Sequence, residues 1–191
     1  MLDFSQGSQD AFAQIFRRHR QAIYGFFRRR VTEPPHAEEL TQETFLAVIR
    51  TASRYQPRAL FRTYLYAIAL KLLRAHRRKA AFRATFLGQS GTAPEPSRCD
   101  AADSALWVRR AVAKLDATDR EVLLLREFEQ LSYSEIADLL QLPLNTVRSR
   151  LFRARLALRT LLEPAASPTK DPTKITPLAI PQVLTQKGNR L

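Results

Sequence analysis

One cysteine, Cys99, stands in 191 residues. A lone thiol closes no intramolecular disulfide and founds no multi-cysteine zinc site, which excludes disulfide-stapled and zinc-finger architectures. Glycine is scarce as well, occurring at 7, 25, 88, 91 and 188, and no Gly-rich phosphate loop is present. No apolar run approaches the length that spans a bilayer, so stable membrane insertion is not expected. The N-terminal stretch "MLDFSQGSQDAF" lacks the basic start and apolar core of a signal peptide, and a reducing cytoplasm is the expected location. His19, His36 and His76 lack metal-ligand spacing, and neither a nucleophile–base arrangement nor the carboxylate cluster of a metal nuclease appears. No catalytic residue, metal or cofactor is expected.

Acids are also in short supply, 18 against 31 Lys and Arg, for a net charge of +13. Such an excess suits a polyanion, nucleic acid first and an anionic membrane surface second. Residues 1–80 and 105–162 carry the two basic blocks, and the gap between them is close to neutral.

What the chain does have is helical periodicity. Leu, Ala, Arg and Glu dominate and β-branched alternation is rare, so the fold class is all-α. Helices are expected over "DAFAQIFRRHRQAIYGFFRRRV" (10–31), "HAEELTQETFLAVIRTA" (36–52) and "LFRTYLYAIALKLLRAHRRK" (60–79), punctuated by Pro34, Pro35 and Pro57. Residues 81–103 read as a flexible linker between a domain at 1–80 and a second at 104–162. The second domain is expected to hold four helices, at 104–115, 119–130, 133–140 and beyond 142. Capping boxes are expected at Thr118 with Glu121 and at Ser132 with Glu135. The tail 163–191, with five of the eleven prolines, reads as disordered.

"SYSEIADLLQLPLNTVRSRLFRARLAL" has the form of a helix-turn-helix: a short capped helix facing inward with Ile136, Leu139 and Leu140, a tight turn at 141–143, and a longer helix. At about 100° per residue, Leu144, Val147, Leu151, Ala154, Leu158 and Leu161 make one apolar stripe. Asn145, Ser149, Phe152 and Arg153 lie opposite, with Arg148 and Arg150 on the flanks. Arg148, Arg150, Arg153, Arg155 and Arg159 meet no acid in sequence before Glu163, so an external anion is expected to neutralise them. A helix in the major groove presents such residues to base edges: Arg148 and Arg153 can pair with guanine, and Phe152 can lie on a thymine methyl. Asn145 and Thr146, at the helix N-terminus, suit phosphate. The alternative is a solvated basic face on a bundle helix.

Upstream, Ala37, Leu40, Thr44, Phe45 and Val48 share an inner face, while Glu39, Gln42, Glu43, Leu46 and Arg50 gather outside. That outer row reads either as a protein-docking surface or as an ordinary solvated face. The next helix is expected to bury Phe61, Leu65, Ile68, Leu72 and Ala75. It is expected to expose Thr63, Leu70, Lys71, Arg74, Arg77 and Arg78, with Tyr64 and Tyr66 at the borders. Cations interleaved with aromatics suit single-stranded DNA; a membrane-surface helix would also be basic.

Together, "HAEELTQETFLAVIRTASRYQP…LFRTYLYAIALKLLRAHRRK" and "KLDATDREVLLLREFEQLSYSEIADLLQLPLNTVRSRLFRARLALRTLL" resemble bacterial RNA polymerase sigma factors of the extracytoplasmic-function group, over roughly 8–80 and 104–162. The resemblance implies a sigma-2-like module of three or four helices, then a sigma-4-like four-helix module. It implies a subunit that binds core RNA polymerase and recognises promoter DNA, with an anti-sigma protein as a further partner. Docking on polymerase falls on Glu39, Gln42, Glu43, Leu46 and Arg50. Capture of melted −10 bases falls on Arg62, Tyr64, Lys71 and Arg74, extended by Arg77 and Arg78. Reading of the −35 element falls on Asn145, Thr146, Arg148, Ser149, Phe152 and Arg153. The linker would thread toward the catalytic centre or RNA exit path. The family usually has Trp at Tyr64, Asn at Lys71, Gly at Asn145 and at Gln141, and a capping Asp at His36. Two rival functions are a sigma-like decoy for a regulator and a stand-alone helix-turn-helix regulator.

Overall fold

The start of each helix is written in the residues just before it, and in the computed structural model those residues set the element bounds. The structure describes residues 8–57, 60–86 and 103–163, with Met1, Phe4 and Gln6. Most of the expected linker and nearly all of the expected tail lie outside the described residues. Helix α1 spans Gln9–Arg28, and the Ser8 hydroxyl accepts from the Ala11 N–H at its start. Helix α2, Pro34–Thr51, opens on two prolines, whose fixed φ suits the first helical turn. Its N-cap is therefore Glu33, and His36 lies inside the helix rather than at the cap position expected for it. A 3₁₀ turn, Ala52–Arg54, follows. Helix α3 runs Phe61–Phe86, six residues beyond the boundary expected at 80.

In the second module, α4 spans Asp103–Ala113 and α5 spans Ala117–Glu127. The expected capping box at Thr118 does not form. Asp116 is the N-cap and its carboxylate accepts from the Thr118 and Asp119 N–H groups, at 2.9 and 3.2 Å. An ionised acceptor at the positive helix end displaces the hydroxyl, and Glu121 is left for another partner. Arg120 closes the previous helix by donating to the carbonyls of Val112, Ala113 and Leu115. Helix α6, Tyr133–Leu140, has the expected capping box at Ser132 and Glu135.

The turn to α7 (Leu144–Leu162) is made by Gln141, in the left-handed region at φ 56° and ψ 47°. A side chain there costs roughly 1 kcal/mol, offset in part by the Gln141 amide donating to the Asp138 carbonyl at 2.6 Å. The left-handed residue is thus Gln141, while Asn145 is helical.

Helices α1–α3 form one bundle and α4–α7 the other, all helix and no strand among the described residues. Phe26, Phe27, Leu65 and Leu73 are fully buried in the first; Val122, Leu125, Ile136, Val147 and Leu151 in the second. The inner face of α2 is as expected, with Ala37, Leu40, Thr44, Phe45 and Val48 buried.

Helix α3 differs. It buries Thr63, Leu65, Tyr66, Ala69, Leu70 and Leu73, while Ala75 is exposed and Phe61, Ile68 and Leu72 are only half-buried. The reason is that α3 is covered on two sides, by α2 and by α6 of the second module. A one-sided stripe misplaces the residues on the second face.

The modules are therefore packed on each other, an arrangement that the expected flexible linker leaves open. Arg30 donates to Glu121 at 2.9 Å and to Glu129 at 3.0 Å, and Arg29 donates to both Glu129 oxygens at 3.0 Å. Glu129 is 4% exposed. Gly25 leaves room for this, because a Cβ there would stand 3.1 Å from the Arg29 guanidinium. Burial, and then the Glu129 carboxylate, push the Tyr66 hydroxyl up to about 12.

Replacing Ser132 by Ala removes the α6 cap and should lower stability by about 1 kcal/mol in urea melts, with the helical signal of the native state unchanged.

Candidate nucleic-acid interface

Helix α7 is built as a lever resting on its apolar stripe. Val147, Leu151 and Ala154 are buried, Leu158 and Leu161 half-buried, and Leu144 sits at the exposed end. That seating turns Asn145, Arg148, Ser149, Phe152 and Arg153 to solvent, with Thr146 half-buried; Phe152 is 69% exposed. Pro143 caps α7 without a side-chain hydrogen bond, and no acid lies in the first turn. The helix thus begins with free N–H groups and an uncompensated positive end, a setting that favours phosphate.

The arginines are not left to an outside anion as expected. Arg150 pairs with Asp119 at 2.8 Å and Asp116 at 3.6 Å, and Arg153 meets Asp119 at 3.6 Å. Arg155 pairs with Glu127 at 2.7 Å and Arg159 with Glu163 at 2.9 Å. Apart from Glu163, four residues from Arg159 at the end of α7, the acids come from α5 and its cap, far away in sequence but laid against α7 by the fold. Arg148 alone among the five has no carboxylate within ion-pair distance among the described residues; its nearest polar neighbour is the Asn145 amide oxygen, 3.5 Å away. The charged face of α7 narrows to Arg148, the outward part of Arg153, and the polar Asn145 and Ser149.

The expected −10 residues do not form one surface. Lys71, Arg74 and Arg78 line a cleft of about 440 Å³, whose opposite wall is Asp138, Leu139 and Gln141 of the second module. Arg77 does not line that cleft. Tyr64 is half-buried, its hydroxyl 2.7 Å from that of Thr51 and its ring packed edgewise on Tyr55 at 5.0 Å. Arg62 donates to the Gln130 carbonyl at 3.3 Å and stands 3.9 Å from Glu135. Thr63 donates to the same Glu135 carboxylate. Burial would raise the Glu135 carboxyl, but hydrogen bonds from Thr63 and Ser132 and the Arg62 charge bring it below the ordinary value.

On α2, Glu39, Gln42, Glu43, Leu46 and Arg50 are all exposed, and Ile49 stands exposed beside Leu46. This makes an acidic row with an apolar centre. The His36 and His76 rings lie 5.0 Å apart, tilted by 60°, yet no group of three metal-ligating side chains occurs among the described residues. No helix among them is long and apolar enough to cross a membrane.

A family model described as Sigma-70 region 2 matches residues 15–83, and one described as Sigma-70, region 4 matches 105–158. The chain is 35% identical over 166 residues to RNA polymerase sigma factor CarQ of Myxococcus xanthus, covering 85% of this chain and 95% of that protein. It is 31% identical over 168 residues to ECF RNA polymerase sigma factor SigC of Mycobacterium tuberculosis, covering 85% and 89%. This chain is an extracytoplasmic-function sigma factor of the sigma-70 family. Among solved structures, CnrH in complex with the cytosolic domain of CnrY superimposes with a TM-score of 0.60 at 27% identity, over 83% of this sigma factor and 91% of CnrH.

Reading the sequence missed the residues that organise both faces of this sigma factor: Asp119 beneath α7, and Arg29, Arg30, Glu121, Glu129 and Glu135 between the modules. A signal existed for one group only. The run Arg28–Arg30 has no acid on its own helix after Asp10, so its partners had to come from elsewhere.

Asp119 holds Arg150 and Arg153 at once. An Asp119→Asn change should steepen the salt dependence of non-specific duplex binding by about one phosphate equivalent and reduce discrimination between promoter and random DNA. Duplex titrations at several salt concentrations check both.

Proposed function

We propose the following division of labour for the sigma factor, which directs promoter-specific initiation by core RNA polymerase. The exposed α2 row, Glu39, Gln42, Glu43, Leu46 and Arg50, docks on polymerase. Lys71, Arg74 and Arg78, with Arg62 and Tyr64 at the head of α3, hold the melted −10 strand; Arg77 contributes charge at the edge. Helix α7 reads the −35 duplex, Arg148 and Arg153 toward base edges, Phe152 toward a methyl group, Ser149 between them, and Asn145 and Thr146 on phosphate. Domain limits near 86 and 103 fit the helix ends, and the segment between them is the tether. The protein acts in the cytoplasm and makes or breaks no bond. CnrH is solved with the cytosolic domain of CnrY; by analogy an anti-sigma protein is a partner of this chain too.

The observation that supports this most is the exposure of Arg148 and Phe152 on a helix where Arg150, Arg155 and Arg159 are paired internally. A non-specific polyanion binder gains from every free cation. A base reader gains from a few, placed rigidly. Run-off transcription with core polymerase on a genomic fragment library tests the proposal and returns the promoter motif.

Two substitutions test the faces separately. Glu43→Lys should abolish retention of the chain by core polymerase in a pull-down while leaving duplex binding intact. Arg148→Ala should weaken binding by about 1–3 kcal/mol at one promoter position; uniform weakening across sequences would place Arg148 on phosphate instead.

A further inference from the structure

We infer that His36 and His76 form a site for a divalent transition metal ion of the zinc type, bridging α2 and α3 beside the acidic row of α2. Filling the site sets the charge of that row, a step that rests on the row's proposed assignment to polymerase.

Three observations carry it. First, His36 is a departure that neither the fold nor the proposed function uses. The family usually has a capping Asp there, but Glu33 is the N-cap and His36 sits in the first turn of α2. What the histidine meets is His76 of α3, with ring centroids 5.0 Å apart and planes tilted by 60°. A metal-bound imidazole nitrogen lies about 2.1 Å from the ion, and its ring centre roughly 1 Å beyond. Two such rings at a tetrahedral angle stand about 5 Å apart. Helices α2 and α3 are packed together, so the fold itself holds the pair at that spacing.

Second, the rings are available. Both are partly exposed, and neither enters a hydrogen bond among the described residues. Glu33 stands 3.7 Å from the His36 Nδ1. A carboxylate on one imidazole nitrogen commonly steadies a ligating histidine and leaves the other nitrogen for the metal. Burial, and then His36, hold the His76 ring below its ordinary value, which favours the neutral form that binds metal.

Third, the surroundings suit an exchangeable dication. No group of three ligating side chains occurs among the described residues, so two nitrogens hold the ion and water completes it. Imidazole selects zinc, copper and nickel over magnesium and calcium, which prefer oxygen. Glu39 and Glu43 follow His36 along one stripe of α2, about 5 and 11 Å further down the axis. Both are exposed. A doubly charged ion at His36 therefore acts on the row from within about one Debye length, and the carboxylates assigned to docking lose part of their field.

The test uses the full chain with Cys99→Ser, which removes the one thiol. Cobalt absorption and zinc calorimetry should show a single ion per chain. Excess zinc should raise the melting temperature by about 5 °C, and magnesium should do neither. His36→Phe and His76→Phe keep a ring contact between the helices but carry no lone pair. Each should lower zinc affinity at least ~10-fold with native circular dichroism. Zinc should weaken retention of the parent chain by core polymerase severalfold, dialysis should restore it, and the Phe variants should not respond. Zinc affinity that is absent from the parent, or unchanged in both Phe variants, overturns the site and leaves an ordinary ring contact. Binding that leaves retention unaltered overturns the coupling while the site stands. A Glu43→Lys chain fully retained by polymerase overturns the assignment of the row, with zinc binding unaffected.

Discussion

Glu129 is a carboxylate in an interior, and the contact between the two modules supplies what it needs. Removed from water, it needs charged or hydrogen-bonding partners on both oxygens, and among the described residues no cation of its own module pairs with it. Arg29 and Arg30 supply them from the end of α1, which brings the first module against α5 and the loop after it. Gly25 keeps α1 bare where the Arg29 side chain folds back. Phe26 lies 3.8 Å beneath the Arg30 guanidinium and Phe128 lies 4.7 Å from that of Arg29, so aromatic faces complete the cations' surroundings. Breaking one partner of such a set leaves a bare charge in the interior, at about 3–5 kcal/mol. Charge pairing therefore fixes the relative position of the modules together with apolar contact, since one buried apolar cluster runs through both.

The same economy of charge shapes α7. A net charge of +13 would bind any polyanion tightly and indiscriminately. Placing Asp119, Glu127 and Glu163 beside Arg150, Arg155 and Arg159 removes most of the field from the rear of the helix. The Arg150–Asp119 and Arg155–Glu127 pairs also splint α7 to α5, so that Arg148 and Phe152 project from a stiff support. Stiffness matters here, since a base contact is worth its energy only when little rotamer freedom is lost in making it.

How far the residues foretell this depends on the distance over which each signal acts. The Ser132–Glu135 box and the α7 stripe depend on neighbours three or four residues away, and both are legible in the sequence. Thr118 is not, because Asp116, two residues earlier, is the stronger acceptor and moves the cap. The faces of α3 were half legible: periodicity finds one stripe, and Thr63, Tyr66 and Leu70 are buried by a second contact that no local pattern announces. The arginines of α7 fail for the same reason. Asp119 is 31 residues from Arg150 and Glu127 is 28 from Arg155, so only the fold brings them together. The exposure of the acidic row on α2 was legible because, among the described residues, its side chains enter no hydrogen bond or ion pair that would draw them inward.

The α2 row is exposed, and so are Lys71, Arg74 and Arg78 on α3, whereas Arg62 and Thr63 at the head of α3 are bonded to the second module. A partner on α2 can therefore bind without disturbing the contact between the modules. It can part them only through contacts that differ between the packed and parted arrangements, since equal affinity for both shifts nothing. Contacts with the second module meet that requirement; contacts with α2 alone do not. Docking through α2 therefore accounts for association, and any parting of the modules needs a second point of engagement.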